Sequence, residues 1–85
     1  MTNKNRTKDE NYIICLYDEA EKSGNLENPI DRYHVATCAH LHPKAGNTIC
    51  KLLIQANFIK KSGEVDVYLT PHGIQLVERL RNEER

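Results

Sequence analysis

Four residues near the middle of this 85-residue chain carry side chains that ligate metals: His34, Cys38, His40 and His42. His34 and Cys38 stand four apart. On a helix that spacing puts an imidazole and a thiol on one face, a pairing that holds zinc or copper. His42 is the next candidate, whereas His40 points elsewhere on such a helix. No carboxylate or second thiolate lies nearby in the sequence to complete a set. The expectation is no metal centre and no cofactor, with His34, Cys38 and His42 as the cluster to check.

Catalysis finds no support. Histidines and cysteines occur without an orienting acid at a spacing that would make a nucleophile–base pair. Ala45-Gly46-Asn47-Thr48 resembles a phosphate loop superficially, yet it lacks the Gly-Lys-Ser/Thr ending and follows no strand. Cys15, Cys38 and Cys50 are an odd set without CxxC spacing, unlike a secreted disulfide framework. Each falls near an apolar stripe, where thiols are usually inert. The chain reads as a non-enzyme.

Charge is the more informative signal. Twelve basic and twelve acidic residues cancel, but they are not mixed. Residues 1–31 carry a balance of −3 and residues 64–85 a balance of −2. Residues 32–63 carry Arg32, Lys44, Lys51, Lys60 and Lys61 and no acid, a balance of +5. A 32-residue stretch without acids implies a surface that must not repel an anion.

The elements that must position these residues follow from period and punctuation. The length, with 39% apolar and 28% charged residues, fits one small domain. Residues 1–6 read as a polar tail and 7–85 as the domain. Thr7 and Glu10 form a capping box that opens a first helix over about 8–23. Tyr12, Ile13, Leu16, Tyr17 and Ala20 form its apolar stripe, and Gly24 ends it. Ile30 pairs as a short strand. Asp31 caps a second helix over about 32–41, with Val35, Ala36, Ala39 and Cys38 inward. Leu41-His42-Pro43 breaks it, and Pro43 starts a third helix running to about Ala56. Ile49, Leu52, Leu53 and Ala56 are expected inward there, and Gly46 permits close approach of the second helix or of a ligand. After Asn57 the period changes to two. Residues 58–61 and 65–69 read as strands joined at Ser62-Gly63-Glu64. Thr70 caps a last helix with Pro71 at its first position.

This order predicts an α+β fold: a three-helix core, a short β-hairpin and a C-terminal helix. It resembles a winged helix-turn-helix domain. Phe58-Ile59-Lys60-Lys61 and Leu69-Thr70-Pro71-His72-Gly73 are similar to the MarR family. There a third helix ends in glycine or asparagine plus an apolar pair, and the wing's return strand runs into Leu-Thr-x-x-Gly. The likeness covers about residues 31–80. It implies duplex DNA as partner, read by the third helix through Lys44, Asn47, Thr48 and Lys51. Lysine suits phosphate or guanine, asparagine suits adenine, and threonine suits phosphate or a thymine methyl. Arg32, Lys60 and Lys61 would position the backbone, with one of the two lysines pointing outward because side chains alternate along a strand. The wing departs from the family pattern: it is short and bears Glu64 and Asp66, which repel phosphate.

A homodimer would double the phosphate contacts. The resemblance implies pairing through the terminal helices. The first has more large apolar residues than one stripe holds, Ile14 and Cys15 among them, and the last offers both Ile74/Val77 and Leu76/Leu80. With no apolar run of 18 residues and no signal peptide, the expectation is a cytoplasmic protein without membrane contact. The rival is a winged helix used as a protein-interaction module or adaptor, without autonomous DNA binding.

Overall fold

The protein is described here over residues 6–83 of a computed structural model. The expected polar tail, apart from Arg6, and the last two residues lie outside that range. The fold is α+β, with four helices and a three-stranded antiparallel sheet. In chain order the elements are α1 (Lys8–Lys22), β1 (Ile30–Asp31), α2 (Arg32–Cys38), α3 (Pro43–Gln55), β2 (Ile59–Ser62), β3 (Asp66–Leu69) and α4 (Pro71–Asn82). The sheet order is β1-β3-β2, which leaves β2 at an edge. Ile59 pairs with Leu69 and Ile30 with Val67.

Local chemistry sets most of the boundaries. The Thr7 hydroxyl accepts from the Glu10 N–H, and the Glu10 carboxylate accepts from the Thr7 N–H. Asp31 caps α2 by accepting from Tyr33 N at 2.8 Å. Three helices end the same way, with one residue in the left-handed region and a backbone bond reaching five residues back. At the end of α1 this residue is Gly24 (φ +99°), and Asn25 N donates to Ala20 O. After α3 it is Asn57 (φ +66°), with Phe58 N donating to Leu53 O. After α2 it is His40 (φ +60°), with Leu41 N donating to Ala36 O. So α2 stops at Cys38 instead of running to 41: the turn at His40, and not Pro43, ends it.

The core is built around α1, which α2, α3, α4 and the sheet all contact. Tyr12, Ile13 and Leu16 of α1 are fully buried together with Val35, Ile59, Val67 and Val77. Ile14 is buried as well, while Cys15 is half-buried, so most of the apolar surplus of this helix is absorbed inside the monomer. Little apolar surface of α1 is left over for a partner copy, Cys15 being the part that stays half-exposed. Across α1 and α4, the Tyr17 hydroxyl donates to Glu78 at 3.4 Å, Arg81 pairs with Asp18, and the Arg81 guanidinium lies 5.2 Å from the Tyr17 ring centre.

Helix α3 sits differently from its expected setting. Gly46, Ile49, Cys50 and Leu53 face the core. Leu52 is 54% exposed and Ala56 is exposed too, against expectation. A helix turns about 100° per residue, which leaves Leu52 well off the centre of the buried arc. The hairpin also shifts by a residue. Its turn spans residues 63–65 with Gly63 at φ +71°, and Val65 is an exposed turn residue instead of the start of a strand.

Candidate nucleic-acid interface

The outward face of α3 is built by the arc that the core leaves free. Lys44, Thr48, Lys51 and Gln55 recur at steps of four, three and four, so they form one stripe along the helix. All four are exposed. Asn47 is half-buried at one border of the stripe, and Leu52 lies at the other. The Thr48 hydroxyl donates to the Lys44 carbonyl at 3.2 Å, which turns it back onto the helix. No acid occurs on α2, α3 or β2, so neither lysine has a carboxylate on these elements to neutralise it.

Two features hold this face in place. Gly46 lets α2 approach α3 closely, its position facing the Ala36 methyl. The α3–β2 corner is tied to α4 by Thr70. Its hydroxyl donates to Asn57 O at 2.6 Å, lies 3.1 Å from Phe58 O, and accepts from Gly73 N at 3.1 Å. The Thr70 N–H also bonds Phe58 O. A Cβ on Gly73 would stand 2.0 Å from that same carbonyl, so only glycine fits. This accounts physically for the Leu-Thr-x-x-Gly element: threonine is both helix cap and corner clamp, and glycine lets the carbonyl in.

The remaining basic candidates are dispersed. Lys60 and Lys61 are both exposed, where alternation along the strand predicts that one of the two points outward. They lie on the edge strand β2, where Lys60 pairs with Tyr68 and Lys61 with the buried Val67, and the open edge leaves both side chains a route to solvent. Arg32 is half-buried. Its guanidinium lies 5.1 Å from the Tyr33 ring centre and donates to the Tyr33 hydroxyl at 3.1 Å. Its Nε is buried without a partner. Arg32 is thus committed to Tyr33 and to the opening of α2, apart from the α3 stripe.

The metal-ligating candidates gather elsewhere, on the α1–α2 side. His34 and Cys38 are neighbours, with Nε2 3.6 Å from Sγ. His42 does not join them. It is the exposed residue preceding α3, beside His40 and Pro43. A carboxylate that the sequence reading did not include takes that place: Glu19, whose Oε1 lies 3.1 Å from His34 Nε2 and whose Oε2 lies 3.7 Å from Cys38 Sγ. Hydrogen bonding from His34, then Lys22, holds the Glu19 carboxyl below the usual range. Burial, then the Glu19 charge, pushes the Cys38 thiol up. The Cys15 thiol is also raised, by burial and then by Cys38. A raised thiol is a poor nucleophile at neutral pH. His34 also meets both partners through the same nitrogen, so it cannot relay a proton from Cys38 to Glu19 as a catalytic triad does.

The chain matches no protein-family model and no curated protein. Among the described residues no helix is long and apolar enough to cross a membrane.

Proposed function

We propose that this domain is a winged helix-turn-helix module and that it binds duplex DNA through α3 as a small cytoplasmic transcriptional regulator. The observation that carries the reading is the acid-free, exposed stripe of Lys44, Thr48, Lys51 and Gln55 on a helix braced from behind by α2 and from below by the Thr70 corner. The order α2, turn, α3, hairpin agrees with it, as does an antiparallel sheet whose β2–β3 hairpin would be the wing.

In this reading Lys44 and Lys51 contact phosphate or guanine, and Asn47 reaches a base edge from the border of the stripe. Thr48 has its hydroxyl proton engaged at Lys44 O and presents its methyl to thymine. Lys60 and Lys61 add phosphate contacts from the wing, while Arg32 supports α2. The protein works as a homodimer, since one short wing bearing Glu64 and Asp66 adds little. The half-buried Leu76 and Leu80 of α4 make that helix the better pairing surface.

The test is fluorescence anisotropy on random duplex DNA at two salt concentrations, with mass by light scattering. Micromolar binding that weakens steeply with salt supports the reading. A second reading, a protein-interaction module, draws on Leu52, a large apolar side chain 54% exposed beside the polar stripe. Absence of DNA binding at low salt, with a stable heteromeric partner, decides for it.

A further inference from the structure

The geometry points to a zinc-class metal site between α1 and α2, ligated by Glu19, His34 and Cys38. Independently of any DNA contact, these three side chains converge on one point. The donor atoms are 3.1 Å apart for Glu19 Oε1 and His34 Nε2, 3.6 Å for His34 Nε2 and Cys38 Sγ, and 3.7 Å for Cys38 Sγ and Glu19 Oε2. All lie within 4.8 Å of one another. A tetrahedral ion with bonds of about 2.0 Å to nitrogen and oxygen and about 2.3 Å to sulfur sets its ligands about 3.3–3.6 Å apart. Glu19 meets His34 through Oε1 and Cys38 through Oε2, so a turn of the carboxylate that brings one oxygen between them gives the spacing of one face of that tetrahedron. Carboxylate, thiolate and neutral imidazole together balance the charge of a divalent ion.

The backbone places these ligands without strain. Glu19 is in the last turn of α1, and His34 and Cys38 are one turn apart on α2. His34 directs Nε2 at both neighbours, the arrangement that a shared central ion needs and a proton relay does not. Glu19 and Cys38 themselves line a shallow cleft with Cys15, Asp18, Glu21 and Lys22, which leaves a fourth position open to solvent. Lys22 reaches Glu19 Oε2 at 3.2 Å, but its side chain is 74% exposed and yields that oxygen to the ion. Metal entry releases the Cys38 thiol proton to solvent. A nitrogen, sulfur and oxygen donor set selects a borderline ion such as Zn²⁺ over Mg²⁺ or Ca²⁺. The bound ion would clamp short α2, the platform for α3, onto α1.

The test uses the full chain, reduced and stripped of metal, with Co²⁺ as spectroscopic probe and Zn²⁺ as competitor. The expected result is a thiolate-to-cobalt charge-transfer band at one equivalent, abolished by stoichiometric Zn²⁺. Zn²⁺ at about a hundredfold excess over its Kd should raise the Tm by about 10 °C or more, and Mg²⁺ should not. Cys38→Ser should remove the band. His34→Ala and Glu19→Gln should each weaken affinity by about tenfold or more. His42→Ala should leave it unchanged. Circular dichroism of the metal-free variants separates lost ligation from lost folding, and three ligand variants on two helices keep the test open if one fails to fold. Absence of the band, its survival in Cys38→Ser, or unchanged affinity in both His34→Ala and Glu19→Gln would overturn the site.

Discussion

A Cβ placed on Gly46 would stand 2.7 Å from the Cβ of Ala36, closer than real side chains pack. The absence of one methyl on α3 is what lets α2 lie against it. Two effects oppose each other in Gly46→Ala. Helix propensity favours alanine by about 1 kcal/mol, while overpacking costs about 1–3 kcal/mol. The backbone of Ala36 has little room to retreat, so packing wins. Gly46→Ala should lower the Tm, and adding Ala36→Gly should restore part of the loss. A higher Tm for the single variant would show that α2 and α3 are not so closely seated.

His40 holds a left-handed backbone conformation that costs a residue with a Cβ about 1–2 kcal/mol. Glycine removes this strain but loses more freedom on folding, about 0.5–1 kcal/mol. His40→Gly should therefore stabilise by about 0.5–1 kcal/mol, read as a Tm several degrees higher. Asn57→Gly should gain less, because the short asparagine side chain can hydrogen-bond locally in this region.

The Thr70 corner joins three elements, so it should be sensitive. Thr70→Ala removes a helix cap and the donor to Asn57 O, and should cost about 2 kcal/mol in chemical denaturation. Thr70→Ser keeps the hydroxyl and should cost less. Gly73→Ala forces a methyl into the Phe58 carbonyl and should cost about 3 kcal/mol. A mild Gly73→Ala would mean that the corner is looser than the distances imply.

Where the sequence was readable, side chains act on their own neighbours. The Thr7–Glu10 box, the Asp31 and Thr70 caps, Pro43 and Pro71 at helix starts, and the Asn57 turn are all local chemistry. The end of α2 was not readable, because the usual markers of a left-handed helix end are glycine and asparagine, and histidine fills that place less often. The setting of α3 was misread because Leu52 and Ala56 fit an apolar arc as well as Gly46 and Cys50 do. Choosing between those arcs requires knowing what α1 packs against. Glu19 escaped notice for the same reason: 15 residues separate it from His34, and only the packing of α1 on α2 joins them. The α3 stripe was anticipated residue by residue for Lys44, Thr48 and Lys51, with Asn47 more buried than expected.

Base reading and phosphate contact should separate within the stripe. Asn47→Ala should flatten preference among DNA sequences, by about 1–3 kcal/mol at one base pair, once a preferred site has been selected from a random pool. Its affinity for random duplex should stay near wild type. An unchanged sequence preference would take Asn47 out of the interface.

The central claim is that α3 meets DNA through its two exposed lysines, and the salt dependence of the Lys44→Ala/Lys51→Ala variant tests it most directly. Both lysines are solvent-exposed, so the variant should fold as wild type does. Each lost phosphate contact should reduce the slope of log affinity against log salt by about 0.9. The account predicts weaker binding and a shallower slope, by about 0.9 for each of the two lysines that meets phosphate and so at most about 1.8 per protomer. An affinity and slope equal to those of the wild-type protein would contradict it.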